Sequence, residues 1–149
     1  MSVTQETLES SDLINWTIFQ ELLLMDEDEE GFALSLVETF VQQANDTFKE
    51  IEQLLGEQSA KTEDNLRKLS SLGHYLKGSA AALGLQKVQN ECERIQNYGK
   101  MEVFDNDPLA AAARTPQDWF ACCAEAYTQA GRYFIESKDL LSGFFQASL

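Results

Sequence analysis

Gly73-His74-Tyr75-Leu76-Lys77-Gly78-Ser79-Ala80-Ala81-Ala82-Leu83-Gly84-Leu85 contains the only histidine of the 149-residue chain. A helix turns about 100° per residue, so Leu66, Leu69, Gly73, Leu76, Ala80 and Leu83 fall on one stripe at spacings of three and four. That stripe is the expected core face. His74 points roughly 180–240° away from Leu76, Ala80 and Leu83 at this periodicity. Lys77 and Gly78 stand one turn further along on the histidine's own face. A glycine inside a helix costs about 1 kcal/mol relative to alanine. It is explained if something bulky must come close to the imidazole. A lone histidine is more often a packed or surface residue than a reactive one. The polar face, the neighbouring lysine and the bare glycine favour an imidazole that meets an anion.

Working outward, the patterning predicts helices throughout. Residues 1–12 are polar and are expected to fray. Leu13–Leu24 reads as a short amphipathic helix. The acidic run Asp26-Glu27-Asp28-Glu29-Glu30 suits either a helix start, where carboxylates meet free amides, or the charged rim of a docking surface. A long helix is predicted over 29–55 with the stripe Val37, Phe40, Ala44, Phe48, Ile51 and Leu55, ended by Gly56. The histidine helix spans about 63–82. After a very short turn at Gly84, a further helix over 86–100 buries Val88, Cys92, Ile95 and Gly99. Residues 101–115 hold the turn cluster Asp105-Asn106-Asp107-Pro108 and room for a short helical turn. Thr115-Pro116-Gln117-Asp118 is a strong start signal for a last helix to about Phe144. Its core side is Trp119, Cys123, Tyr127, Ala130, Phe134, Leu141 and Phe145. No strand alternation or repeat is present. The expected fold is all-α: a single domain built as an antiparallel four-helix bundle, with an additional short N-terminal helix lying across it.

Composition is that of a globular domain, with 44% hydrophobic and 24% charged residues. The net charge of −14 argues against nucleic acid and against an anionic membrane, and favours a basic partner surface or simple solubility. Three cysteines and one histidine give neither a disulfide framework nor metal-ligand spacing. No leader pattern or membrane-length apolar run is visible, so a soluble protein of the cytoplasm and nucleus is expected.

His74 to Leu85 resembles the H-x-L-K-G-S-x-A-x-L-G-L signature of histidine-containing phosphotransfer (HPt) proteins. Ile14-Asn15-Trp16-Thr17-Ile18-Phe19, with Met25-Asp26 and the acidic run after it, resembles the N-terminus of the fungal phosphorelay HPt intermediates, and Cys92-Glu93-Arg94-Ile95-Gln96-Asn97 is a third block of the resemblance. The resemblance covers about residues 13–100, and the region after Lys100 carries no recognisable motif.

Neutral imidazole is a good nucleophile near physiological pH and can carry a phosphoryl group in a labile N–P bond. The resemblance implies that His74 accepts a phosphoryl group from a receiver-domain aspartate of a hybrid histidine kinase. It would then pass the group to an aspartate on the receiver domain of a response regulator. Lys77 would supply a cation to the phosphoryl oxygens and Gly78 would supply access. By the same resemblance Gln96 would hydrogen-bond the imidazole from the neighbouring helix, although its residue pattern alone also fits a solvent-facing glutamine. Ser79 would either touch the phosphoryl group or permit close packing. Ile18, Leu22, Asp26, Phe32, Leu36 and Gln43 match receiver-docking positions, the apolar ones being equally readable as core. No cofactor or metal of its own is implied, magnesium residing on the receiver, and the protein is expected to be a monomer. The competing readings are a non-catalytic helical adaptor that binds receiver domains and, less compatible with the absence of acid/base pairs, a helical enzyme.

Overall fold

The computed structural model describes residues 2–149, all of whose regular elements are helices: α1 (Gln5–Ser10), α2 (Trp16–Met25), α3 (Phe32–Leu55), α4 (Glu63–Ala82), α5 (Gln86–Gly99), α6 (Pro108–Ala112) and α7 (Pro116–Phe145). Helices α3, α4, α5 and α7 form an antiparallel four-helix bundle, each packed on its neighbours around the ring. Their stripes meet as expected, with Val37, Ile51, Leu66, Leu69, Leu76, Val88 and Ile95 fully buried. Aromatic side chains join α3 to α7: Phe48 stacks edge-on against Phe134 and Tyr127, with ring centres 5.2 and 5.8 Å apart.

The α4–α5 pair is closer than the stripes alone require. A methyl group built on Gly73 would lie 2.8 Å from the Gln96 amide nitrogen and 2.9 Å from the Cys92 carbonyl oxygen. One on Gly99 would lie 2.6 Å from the Leu66 carbonyl oxygen. Both glycines are therefore backbone-to-backbone contact points. At the α4–α5 turn, Gly84 adopts φ +74°. The Leu85 amide reaches the Ala80 carbonyl and the Gly84 amide the Ala81 carbonyl, at 3.0 and 3.1 Å, which is a Schellman closure. The Asn15 amide donates to the Gly84 carbonyl at 2.6 Å, and this bond seats α2 across the bundle end. Phe19 of α2 packs against Phe144 and Phe145 there, both ring centres 6.2 Å away.

Three boundaries differ from the sequence-based expectation. The N-terminal stretch expected to fray is ordered over residues 4–11. Thr4 and Thr7 close a capping box, and Leu8 of α1 is fully buried; residue 1 lies outside the described residues. The first bundle-crossing helix starts at Trp16 rather than Leu13, because the Asn15 side chain caps the Ile18 amide. The long helix starts at Phe32 rather than Glu29, because Gly31 takes a left-handed conformation at its N-cap. Of the acidic run, only Asp26 is spent on that helix, accepting a 2.7 Å bond from the Ala33 amide.

Thr115 and Asp118 form the capping box read from the sequence. Asp118 also accepts from the Arg114 and Thr115 amides, which holds its carboxyl below the usual carboxylate range. Arg94 of α5 pairs with Glu91, Asp107 and Glu125, fastening the loop before α6 to the bundle and α5 to α7. Burial pushes the Cys92 and Cys123 thiols up to about 12 and Cys122 to about 11, so none is a ready nucleophile.

Candidate functional site

His74 lies in the middle of α4, exposed, on the side opposite the buried stripe. A side chain at Gly78, one turn on, would meet nothing within 4 Å, so the space above the imidazole is open. Lys77 is half-buried at the same turn and has no ion-pair partner among the described residues. Its ammonium is therefore free to meet an incoming anion. Ser79 spends its hydroxyl on the Tyr75 carbonyl, at 3.3 Å.

Gly73 determines what stands beside the histidine. Because it has no side chain, the Gln96 backbone reaches α4 at the residue just before His74. The sequence reading gave Gln96 a bond to the imidazole. That bond is not made here: the Gln96 Oε1 is buried and has no hydrogen-bond partner. A buried acceptor left unsatisfied costs about 1–3 kcal/mol. The amide thus carries an unfilled demand for a donor close to the histidine's turn.

The expected docking residues divide into two groups. Leu22, Leu36, Gln43 and Ser79 converge with Thr39, Ala82 and Leu83 on one groove of about 340 Å³, next to the histidine on the C-terminal side. Leu22 is only 9% exposed, so it is the floor of this groove more than a free contact. The other three have local jobs. Ile18 lies against the Gly84 turn. Phe32 packs half-buried on the core. Asp26 caps α3. The groove residues missed by sequence reasoning, Thr39 and Ala82, are small and lie on the edges of amphipathic stripes. Only their shared helical register with Gln43 and Ser79 could have signalled them. Among the described residues, no group of three or more His, Cys, Asp or Glu side chains is arranged to hold a metal ion.

An exposed imidazole in mid-helix, an open turn beside it, a free lysine and a flanking apolar groove coincide with a family pattern. The sequence pattern of the Hpt domain matches residues 35–130. The chain belongs to the Hpt family. It is 57% identical over 104 residues to the phosphorelay intermediate protein YPD1 of Candida albicans, covering 70% of this chain and 53% of that protein. With YPD1 of Saccharomyces cerevisiae it is 50% identical over 95 residues, 63% of this chain and 54% of that protein. In these alignments the chain spans about half the length of the curated relatives it matches. The crystal structure of yeast Ypd1p superimposes with a TM-score of 0.77 at 32% identity, covering 96% of this chain and 99% of that one. A co-crystal structure of S. cerevisiae Ypd1 with the receiver domain of its downstream response regulator Ssk1 gives 0.78 at 34% identity, covering 93% and 98%. The Hpt fold is thus an all-α bundle with α2 laid across it, as the spacing of the apolar residues predicts.

Proposed function

We propose that this Hpt protein is the histidine phosphotransfer intermediate of a multistep phosphorelay. A ring nitrogen of His74 attacks the phosphorus of a receiver's aspartyl phosphate. The N–P bond forms as the acyl O–P bond breaks, and the aspartate leaves as a carboxylate. In the second half, the aspartate of a response regulator attacks the phosphohistidine and the imidazole leaves. One receiver is that of a hybrid histidine kinase and the other that of a downstream regulator. Magnesium would be held by the receiver, where it would neutralise charge on the transferring group.

The observation that carries this reading is the open turn at Gly78 beside an exposed His74, with Lys77 unpaired on the same face. In-line transfer needs the two reacting atoms about 3–3.5 Å apart, and therefore a partner backbone pressed against the helix. Lys77 offsets the negative charge of the phosphoryl oxygens. Gln96, whose buried Oε1 lacks a donor, would in this reading accept a ring N–H of His74, which would select the tautomer that leaves the other nitrogen nucleophilic.

The test is a two-step relay in solution. A receiver carrying labelled aspartyl phosphate is mixed with the protein, which is repurified and mixed with a second, unphosphorylated receiver. Label appearing first on the Hpt protein and then on the second receiver supports the proposal. A complex that forms without uptake of label refutes it in favour of an adaptor.

A further inference from the structure

A second groove of about 560 Å³ opens between α3 and α4 on the other side of His74, toward the start of α4. Its floor is Leu54 and Leu72, both half-buried; Arg67, Lys68 and Ser71 form one rim and Glu50 stands on the other. Arg67 and Ser71 continue the stripe of His74 and Gly78, at spacings of three and four. Lys68 has no ion-pair partner among the described residues, and Arg67 pairs only with Asp64, itself exposed. No proposed role for His74, Lys77 or the groove at Ser79 uses any of these residues.

Two observations say what would lie there. The first is charge. The chain has 25 acidic residues against 11 basic ones, yet residues 65–90 contain no acid and hold Arg67, Lys68, Lys77 and Lys87. An acidic partner is repelled by the molecule as a whole and attracted at this stretch. The partner required by the proposed function is acidic where it matters, since a pocket that holds magnesium and an aspartyl phosphate is made of carboxylates.

The second observation is reach. A standard interface of about 800 Å² per partner is a disc of about 16 Å radius. Centred on His74, it extends past Leu83 (about 13 Å along the helix) in one direction and past Arg67 (about 10 Å) in the other. One docked domain therefore covers both grooves.

We propose that this second groove is the other half of the receiver footprint, taking an acidic, apolar-tipped segment that borders the partner's phosphorylatable aspartate. Its carboxylates lie on Arg67 and Lys68, and its apolar tip on Leu54 and Leu72. The inference rests on the proposed phosphorelay function and adds the surface that orients the partner about His74. The uncharged groove at Ser79 fixes the docking position. The cationic groove at Arg67 fixes rotation about it and draws the partner in.

The test compares the wild type with two double charge reversals, Arg67→Glu with Lys68→Glu, and Arg132→Glu with Lys138→Glu. The second pair lies on α7, diagonal to α4, and makes the same change in net charge. Binding of the purified Ssk1 receiver domain is measured at low and high salt, beside thermal melts. The α4 pair is expected to weaken binding about ten-fold at low salt, chiefly through the association rate, with the deficit shrinking as salt rises. The α7 pair is expected to change it less than about two-fold, by the long-range field alone. Equal effects of the two pairs, or wild-type affinity in the α4 pair, overturn the inference and leave the phosphorelay reading standing. If the wild type neither binds a receiver nor takes up its phosphoryl group, the proposed function fails, and this inference with it.

Discussion

Two glycines of α4 offer a sharp internal comparison, because they share a helix and differ only in what surrounds them. Substituting Gly78 by alanine removes the glycine penalty of about 1 kcal/mol in a helix interior. It places the new methyl group where nothing lies within 4 Å. The expected result is stabilisation of about 1 kcal/mol, or about 2–4 °C in melting temperature for a domain of this size. Gly78→Gln gains most of the same propensity. It also fills the open space one turn, about 6 Å, from His74 along the axis. If the partner backbone must pass there, displacement of even about 1 Å costs about 100-fold in transfer. Gly73→Ala meets the opposite situation, with backbone atoms 2.8 and 2.9 Å from the new carbon. The helices must part, at about 2–3 kcal/mol, which corresponds to a drop of about 5–10 °C. Thermal melts and quenched-time transfer assays on the three variants separate the two kinds of glycine. A Gly78→Gln protein that melts higher and transfers at the wild-type rate would refute the argument that the bare turn exists for access. A Gly73→Ala protein as stable as wild type would refute the close-packing account of α4 and α5.

Lys77→Ala is expected to fold normally, to slow transfer and to shorten the phosphohistidine lifetime, with the deficit shrinking as salt is raised; unchanged hydrolysis of the phosphorylated form at low salt would deny Lys77 its contact. Leu22→Ala is expected to cost about 2–3 kcal/mol in a urea melt, since the side chain is the buried floor of a groove; a loss of receiver affinity with unchanged stability would restore it as a free contact. Asp118→Asn is expected to lower the melting temperature at neutral pH and to leave it nearly unchanged in acid. The carboxyl's folded pKa is depressed, so its contribution is present above its ordinary value of about 4 and lost as pH falls through the folded value. Equal drops at both pH values would show that the ionised form is not what caps α7. All three cysteines are expected to resist a thiol reagent at about pH 8 in the native protein and to react once it is unfolded; rapid native labelling would contradict their burial.

The bundle was legible because its helices are long and their apolar residues recur cleanly. The stripe through Leu66, Leu69, Leu76 and Ala80 is buried as the periodicity requires. The capping box at Thr115 was equally plain, since cap chemistry is local. Burial of Leu8 could not be read: α1 is too short to show a period, and its partner surface is assembled from distant parts of the chain. The helix start suggested by the acidic run comes three residues too early, because carboxylates near a helix start cap it only when the turn geometry permits, and Gly31 sets that start. At the site, His74, Lys77 and Gly78 were readable from register alone. Gln96 was not placed by its own helix. The approach of its backbone to Gly73, the residue before His74, follows from the missing side chains of Gly73 and of Gly99, whose contacts are with another helix's backbone. The residues matched to docking positions come together only in part for a similar reason. Leu36 and Gln43 share a register with α4 residues across the groove, whereas Asp26 and Ile18 are held by hydrogen bonds and turns that only the fold creates.

The most direct measurement is the location of the phosphoryl group after incubation with a phosphorylated receiver. The account predicts acid-labile, alkali-stable phosphate on a peptide containing His74, and none on His74→Gln, whose helical content and melting temperature match the wild type because the imidazole is exposed. Phosphate retained by His74→Gln, or label found on any other residue of the wild type, would contradict it.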